Sequence, residues 1–186
     1  MRISAVAAPP RAAEDLVEEA ATTVLGHLGS YVWATGETTW SEAIGSRLAE
    51  LGWTLAAVEI GTGGSLSALL GDADWFRFDE VIGEEAPAAR AYEPSDHEPG
   101  PDGASSSDLV RYARRARELG GAEVGVAVRT RFRSGDTAVS IALTTPMGER
   151  QVSRVVFLTG SLGRSRSALA TAAFLLEVLR GAGSPA

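Results

Sequence analysis

The chain has 186 residues, 45% of them hydrophobic and 22% charged, a balance that suits one globular domain with a small appendage and excludes a disordered or fibrous chain. All 17 basic residues are arginine and cysteine is absent, which removes Schiff bases, Ser/Lys dyads, the P-loop lysine, thiol nucleophiles, disulfides and cysteine-ligated metals. The net charge of −7 argues against a nucleic-acid or anionic-membrane binder.

The charge is unevenly placed. Residues 1–100 carry 5 arginines against 17 acidic side chains, and residues 101–186 carry 12 against 7, so the two parts stand at −12 and +5. Such polarity suits docking within the chain or between subunits, or an anionic ligand held by the second part; two solvated faces of unlike composition are the plainer account. No apolar run approaches the roughly 20 residues of a membrane span, and the start, M-R-I-S-A-V-A-A-P-P, is too short an apolar stretch for a signal peptide. A cytoplasmic location is therefore expected.

Residues 2–7 alternate as a strand does, and Pro9-Pro10 ends it. Leu16, Ala20, Val24 and Leu28 form one apolar helical stripe, with His27 as a structural residue on that helix and Gly29 as its closing C′ residue; Tyr31-Val32-Trp33 reads as a short strand. Residues 1–36 thus form a strand-helix-strand appendage, and residues 37–186 the main domain.

In the main domain, Thr39 and Glu42 make a capping box for a helix whose apolar face is Ile44, Leu48 and Leu51 and whose end is Gly52. The run W-T-L-A-A-V-E-I, residues 53–60, predicts a strand buried on both faces. G-T-G-G-S follows at 61–65, then a helix beginning with Leu66, Leu69 and Leu70. Trp75, Phe76 and Phe78 suggest a strand, and the acidic, proline-rich stretch from Glu84 to Gly103 reads as a long excursion. Ser105 and Asp108 cap a helix with Leu109, Tyr112, Ala113 and Ala116 facing inward, ended by Gly120-Gly121. Three strands at 124–132, 137–144 and 150–158, joined by turns at Ser134-Gly135-Asp136 and Pro146-Met147-Gly148, are expected to be antiparallel neighbours. A last helix spans about 165–180. The whole predicts an α/β fold, a three-layer sandwich with a mixed β-sheet flanked by helices.

The buried strand running into G-T-G-G-S is the strongest local signal. Glycines let backbone approach a ligand, and the unpaired N–H groups of a helix start attract an anion, so Gly61, Thr62, Gly63, Gly64 and Ser65 form a candidate phosphate or carboxylate site. The spacing is that of neither a Walker motif nor a dinucleotide fingerprint, and a tight strand-to-helix turn with no ligand explains the same residues. In the loop E-P-S-D-H-E-P-G-P-D, Asp96, His97, Glu98 and Asp102 would meet a divalent cation if the loop folded back, but prolines and dense charge fit a solvated loop, and neither metal nor cofactor is expected.

The stretch from Trp40 to Gly64 resembles the entry to the CinA C-terminal domain family, the nicotinamide mononucleotide deamidases, whose members show a helix followed by T-L-A-x-A-E-S-C-T-G-G. Thr54-Leu55-Ala56, Glu59 and Thr62-Gly63-Gly64 match, and Leu69-Leu70 and Phe76-Arg77 fall where the family continues. R-I-S-A, the first helix and G-S-Y-V resemble the end of the linker domain that precedes this module, and G-x-x-x-R-S-R with the Ala-rich final helix resembles the family's last segment more weakly. The resemblance implies that Arg164 and Arg166, expected just before the last helix, reach a phosphate; surface arginines are the plain alternative. It also implies a homo-oligomer and a nucleotide-like or other anionic ligand.

The departures from the family are equally informative. The family's serine nucleophile falls at Ile60 and the adjacent cysteine at Gly61; Y-S-N-x-A-K falls near Gly83 to Arg90 without its tyrosine or lysine, and T-G-I-A-G-P near Arg129 to Ser134 without its glycines. A divergent member that has lost the catalytic serine and serves as a binding or scaffold module is the leading expectation. An active amidase using Thr62 as nucleophile and Glu59 as base is the alternative, although strand alternation points neighbouring side chains apart and Glu59 serves equally as a carboxylate holding the glycine turn. A protein-protein interaction module is the third.

Overall fold

A computed structural model describes residues 3–7, 9–29, 32–83 and 106–183. The chain divides into two compact units, Met1–Thr38 and Thr39–Ala186.

The first unit is built on helix α1 (Ala13–Leu28), which buries none of its residues. His27 Nδ1 lies 2.8 Å from the Thr23 carbonyl oxygen one turn back. Two expectations fail here. Of the strands expected at 2–7 and 31–33, the described residues 3–7 and 32–33 form none, because an extended segment without a ladder partner leaves its N–H and C=O groups unpaired. Gly29 does follow the helix, but with φ −54°, so it continues the right-handed turn and makes no left-handed cap.

The second unit opens with α2 (Trp40–Leu51). The Thr39 N–H donates to the Glu42 carboxylate at 2.7 Å, the Glu42 N–H donates back to Thr39 Oγ1 at 3.2 Å, and Gly52 at φ 68° closes the helix. Among the described residues five strands follow: β1 (Leu55–Ile60), β2 (Phe76–Ile82), β3 (Val124–Phe132), β4 (Asp136–Thr145) and β5 (Gly148–Phe157), in the order β2-β1-β3-β4-β5. β1 is parallel to both neighbours, which is why all six of its residues are buried and its sequence is an unbroken apolar run apart from Glu59. β3, β4 and β5 form an antiparallel meander, as the two turns predict.

Helices α3 (Ser65–Leu70), α4 (Ser106–Gly120) and α5 (Gly160–Gly181) complete the sandwich. α4 covers one sheet face, where Leu109, Tyr112, Ala113 and Ala116 pack with Ala56, Val58, Ile60, Ala127 and Ala142. Gly125 on β3 makes that approach possible: a Cβ there would lie 1.9 Å from the Ala113 carbonyl oxygen. Val126, Val128, Val139, Ile141 and Leu143 alternate to the opposite face and are fully or almost fully buried.

The last helix begins at Gly160, five residues before its expected start. Gly163 is buried where a Cβ would meet Thr137 Oγ1 at 2.5 Å and the Leu158 carbonyl oxygen at 2.8 Å. The glycine is a packing requirement at a helix start. Arg164 and Arg166 consequently lie within α5 and do not precede it.

Candidate functional site

The site grows from the end of β1. Gly61, Gly63 and Gly64 have φ of 75°, 64° and 77°, conformations in which a side chain is strained. A Cβ on Gly61 would also come within 2.9 Å of Thr130 Oγ1 and 3.0 Å of the Thr130 carbonyl oxygen on β3. The Gly61 N–H donates to the Ile82 carbonyl at 2.9 Å, tying the turn to the end of β2.

Inside the turn sits Glu59, fully buried. Its Oε2 accepts from Thr62 Oγ1 at 2.6 Å and from the Leu66 N–H at 2.9 Å. Its Oε1 accepts from the Ser67 N–H at 2.8 Å and also contacts Ser67 Oγ. The first amides of α3 therefore already hold an anion, and it belongs to the protein. An external phosphate has no access to the N–H groups of Leu66 and Ser67 while Glu59 occupies them. Thr62 and Glu59, which strand alternation would separate, are brought together because positive φ at Gly61 turns the chain back over the strand end. Both are fully buried, as is Ile60 at 2% exposure within the apolar cluster on the α4 face.

Ser67 Oγ also contacts Asp79 Oδ2 on β2. Burial pushes the Asp79 carboxyl above the ordinary carboxylate value, the bond from Ser67 lowers it in part, and repulsion from Glu59 and Glu80 raises it further. Asp79 Oδ1 is buried with no hydrogen-bond partner among the described residues. Because the folded protein binds a proton at Asp79 more tightly than the unfolded chain does, stability falls as pH rises from about 4 through the raised value. Asp79→Asn removes that fall. Thermal unfolding across pH should show the variant melting above the parent at pH 7 and converging with it near pH 4.

The predicted arginines part company. Arg164 lies against the glycine turn, its Cδ and Nε both 3.4 Å from the Cβ position of Gly63, and its guanidinium carbon is 5.8 Å from the centre of the Phe132 ring. Arg166, two residues on and so about 200° round the helix, lines a cavity of about 620 Å³ with Val155, Phe157, Leu158 and Leu169. Ser65 Oγ donates to the Thr62 carbonyl at 2.9 Å. Among the described residues no group of three or more His, Asp and Glu side chains is placed to hold a metal ion, and the loop with Asp96, His97, Glu98 and Asp102 lies outside them.

Sequence reasoning missed Ser67 and Asp79, and it passed over a row of arginines. Arg129, Arg131 and Arg133 line a cleft of about 240 Å³ with Arg154, Ser140 and Ser153. The signal was present in R-T-R-F-R, where every second residue is arginine.

No family model matches the chain. A CinA-like protein of Thermomicrobium roseum is 31% identical over 156 residues, covering 78% of this chain and 35% of that protein. A CinA-like protein of Dictyoglomus turgidum is 36% identical over 70 residues, covering 38% of this chain and 17% of that protein. The chain thus spans about a third or less of the length of these curated relatives. Among solved structures, a competence or damage-inducible protein of Enterobacter asburiae superposes with TM-score 0.59 at 20% identity, covering 77% of this chain and 99% of that one. A competence-damaged protein (CinA) superfamily member of Enterobacter cloacae superposes with TM-score 0.60 at 19% identity, covering 80% and 96%. These structures share the mixed sheet flanked by helices. By sequence kinship and fold together, the chain is a divergent member of the CinA-like family.

Proposed function

We propose that this chain keeps the family scaffold as a binding module for a nucleotide-like anion and has lost the amidase chemistry that its resemblance implies. Ile60 carries this reading. It stands where the resemblance puts the attacking serine, and its side chain is packed into the core with Leu109 and Tyr112. A hydrocarbon cannot attack a carbonyl, and the Thr62 hydroxyl two residues on is buried and spent on Glu59. What supports ligand binding is the exposed Gly63, against which Arg164 lies with its guanidinium over the Phe132 ring, offering a fixed positive charge for phosphate.

Thermal unfolding with increasing nicotinamide mononucleotide tests this. A ligand that favours the native state raises the midpoint, and the rise should saturate and be lost in Arg164→Gln. No shift with any phosphate compound would reduce the chain to a scaffold.

A second reading rests on the 2.6 Å bond from Thr62 to Glu59, a hydroxyl paired with a carboxylate as in an activated nucleophile. Amidase turnover that vanishes in Thr62→Ala would establish it. Self-association goes with either reading: β5 is an edge strand, and Phe157 and Leu162 beside its end are 84% and 61% exposed. No helix among the described residues is long and apolar enough to cross a membrane, and a cytoplasmic setting goes with the same reading.

A further inference from the structure

β5 closes one end of the sheet, and among the described residues it pairs only with β4. Every second residue along it therefore turns its N–H and C=O groups away from the sheet, a row open to pairing with another strand. The β4–β5 register sets Arg150 opposite Leu143, Val152 opposite Ile141, Arg154 opposite Val139 and Val156 opposite Thr137. Directly opposed residues share a sheet face, so these four β5 side chains lie on the face of Val139, Ile141 and Leu143, away from α4. There Val156 lines the cavity of about 620 Å³ with Phe157 and Leu158 and with Arg166, Leu169 and Ala170 of α5.

Two observations mark this groove as more than an uncovered edge. Leu158 has φ 98°, a conformation that favours glycine, and among the described residues it is the one non-glycine residue with positive φ. Its carbonyl accepts from Thr137 Oγ1 at 2.8 Å, which holds the backbone in place. The strain is kept at a residue whose side chain forms the cavity wall, where glycine would relax the backbone but remove the wall. Beside it the groove is apolar and open, with Val155 53% and Phe157 84% exposed. The second observation is charge. Arg150, Arg154 and Arg166 are exposed and form no ion pair among the described residues, and the one acidic residue of β5, Glu149, is paired with Arg114. Along the α5 side, β5 is thus apolar at Val156 and Val152 and cationic at Arg154 and Arg150. A second β5 strand brings its own arginines to that face, like charge against like, whereas a strand with carboxylates at the matching places complements it.

We propose that β5 and the groove beside it form a docking edge for an extended acidic segment of a partner protein, which adds antiparallel as a further strand, with an apolar side chain in the cavity and carboxylates on Arg154 and Arg150. Self-association through β5 would use the same edge, so the acidic strand and a second copy compete for it. The probe is a fluorescently labelled peptide, L-T-E-T-V-T-E, whose alternate residues fall opposite Val156, Arg154, Val152 and Arg150, titrated with the full chain by fluorescence anisotropy. Saturable one-to-one binding is expected, weakening as salt is raised and weaker by at least about tenfold for L-T-K-T-V-T-K. The variant Arg150→Glu/Arg154→Glu changes only exposed side chains and should reverse that preference. Circular dichroism reports whether it is folded; if it is not, Arg154→Gln alone should weaken binding of the acidic peptide by about threefold or more. Hydrogen exchange should show the β5 amides protected by the bound peptide. Absence of saturable binding overturns the proposal, as do equal binding of the two peptides, a preference that the folded variants leave unchanged, or protection away from β5. A parent dimer whose β5 amides are already protected and that the peptide does not dissociate also overturns it, because a second copy is then the occupant.

Discussion

Replacing Glu59 by alanine is expected to lower the melting midpoint by about 10 °C. The carboxylate accepts from Thr62 Oγ1, from the N–H groups of Leu66 and Ser67, and from Ser67 Oγ, all from one buried position. Truncation leaves buried donors without an acceptor, at about 1–3 kcal/mol each before relaxation and entering water reduce the sum, so a net loss of about 3–5 kcal/mol is reasonable. In a domain of this size each kcal/mol moves the midpoint by about 2–4 °C. Glu59→Gln should be nearly as damaging, because its amide NH₂ would face donors. The direction of the result matters as much as its size. A carboxylate held for catalysis usually costs stability, so its replacement tends to leave the midpoint unchanged or raise it. Differential scanning calorimetry of the two variants therefore separates a structural anion from a general base.

The second large effect is expected at Gly125. An alanine there puts its Cβ 1.9 Å from the Ala113 carbonyl oxygen and 2.8 Å from Thr144 Oγ1. The first obstacle is helix backbone, which cannot turn aside as a side-chain end can, so α4 must lift from β1 and β3. That would break the apolar cluster that includes Leu109, Tyr112 and Ile60. A loss of about 3–5 kcal/mol follows. Urea unfolding should show a strongly lowered midpoint, and near-ultraviolet circular dichroism a changed signal from Tyr112. Gly52→Ala, at a left-handed helix end with nothing within 4 Å of the new Cβ, should cost only about 1 kcal/mol. The contrast isolates close packing from backbone strain.

What the sequence made legible follows the range of the interactions involved. The capping box of Thr39 and Glu42 is local, and so are the two turns that join β3, β4 and β5; each was readable from residue types a few positions apart. The strand at 53–60 was readable because a strand between two parallel neighbours is apolar on both faces. The start of α5 was not, because G-S-L-G looks like loop composition until Thr137 and Leu158 are seen pressed against Gly163. The appendage strands failed because alternation predicts a strand only where another strand pairs with it.

The site divides in the same way. Glycines 61, 63 and 64 mark a turn in any reading. That the turn holds an anion of its own depends on where Gly61 redirects the chain and on the parallel register of β1 and β2, which sets Ala57 beside Asp79 and brings Asp79 near Glu59 and Ser67. Neither is visible along one strand. The arginine row was half visible, since 129, 131 and 133 alternate in sequence, but that Ser140 and Ser153 line the same cleft depends on the β3–β4 and β4–β5 registers.

On the proposed function, a core isoleucine and a carboxylate satisfied within the turn take the place of a reactive site. Ammonia released from nicotinamide mononucleotide by the purified chain is the decisive measurement. Release at the buffer rate is expected, the same for the parent chain and Thr62→Ala. Sustained turnover by the parent that disappears in Thr62→Ala, with the variant still folded, would contradict it.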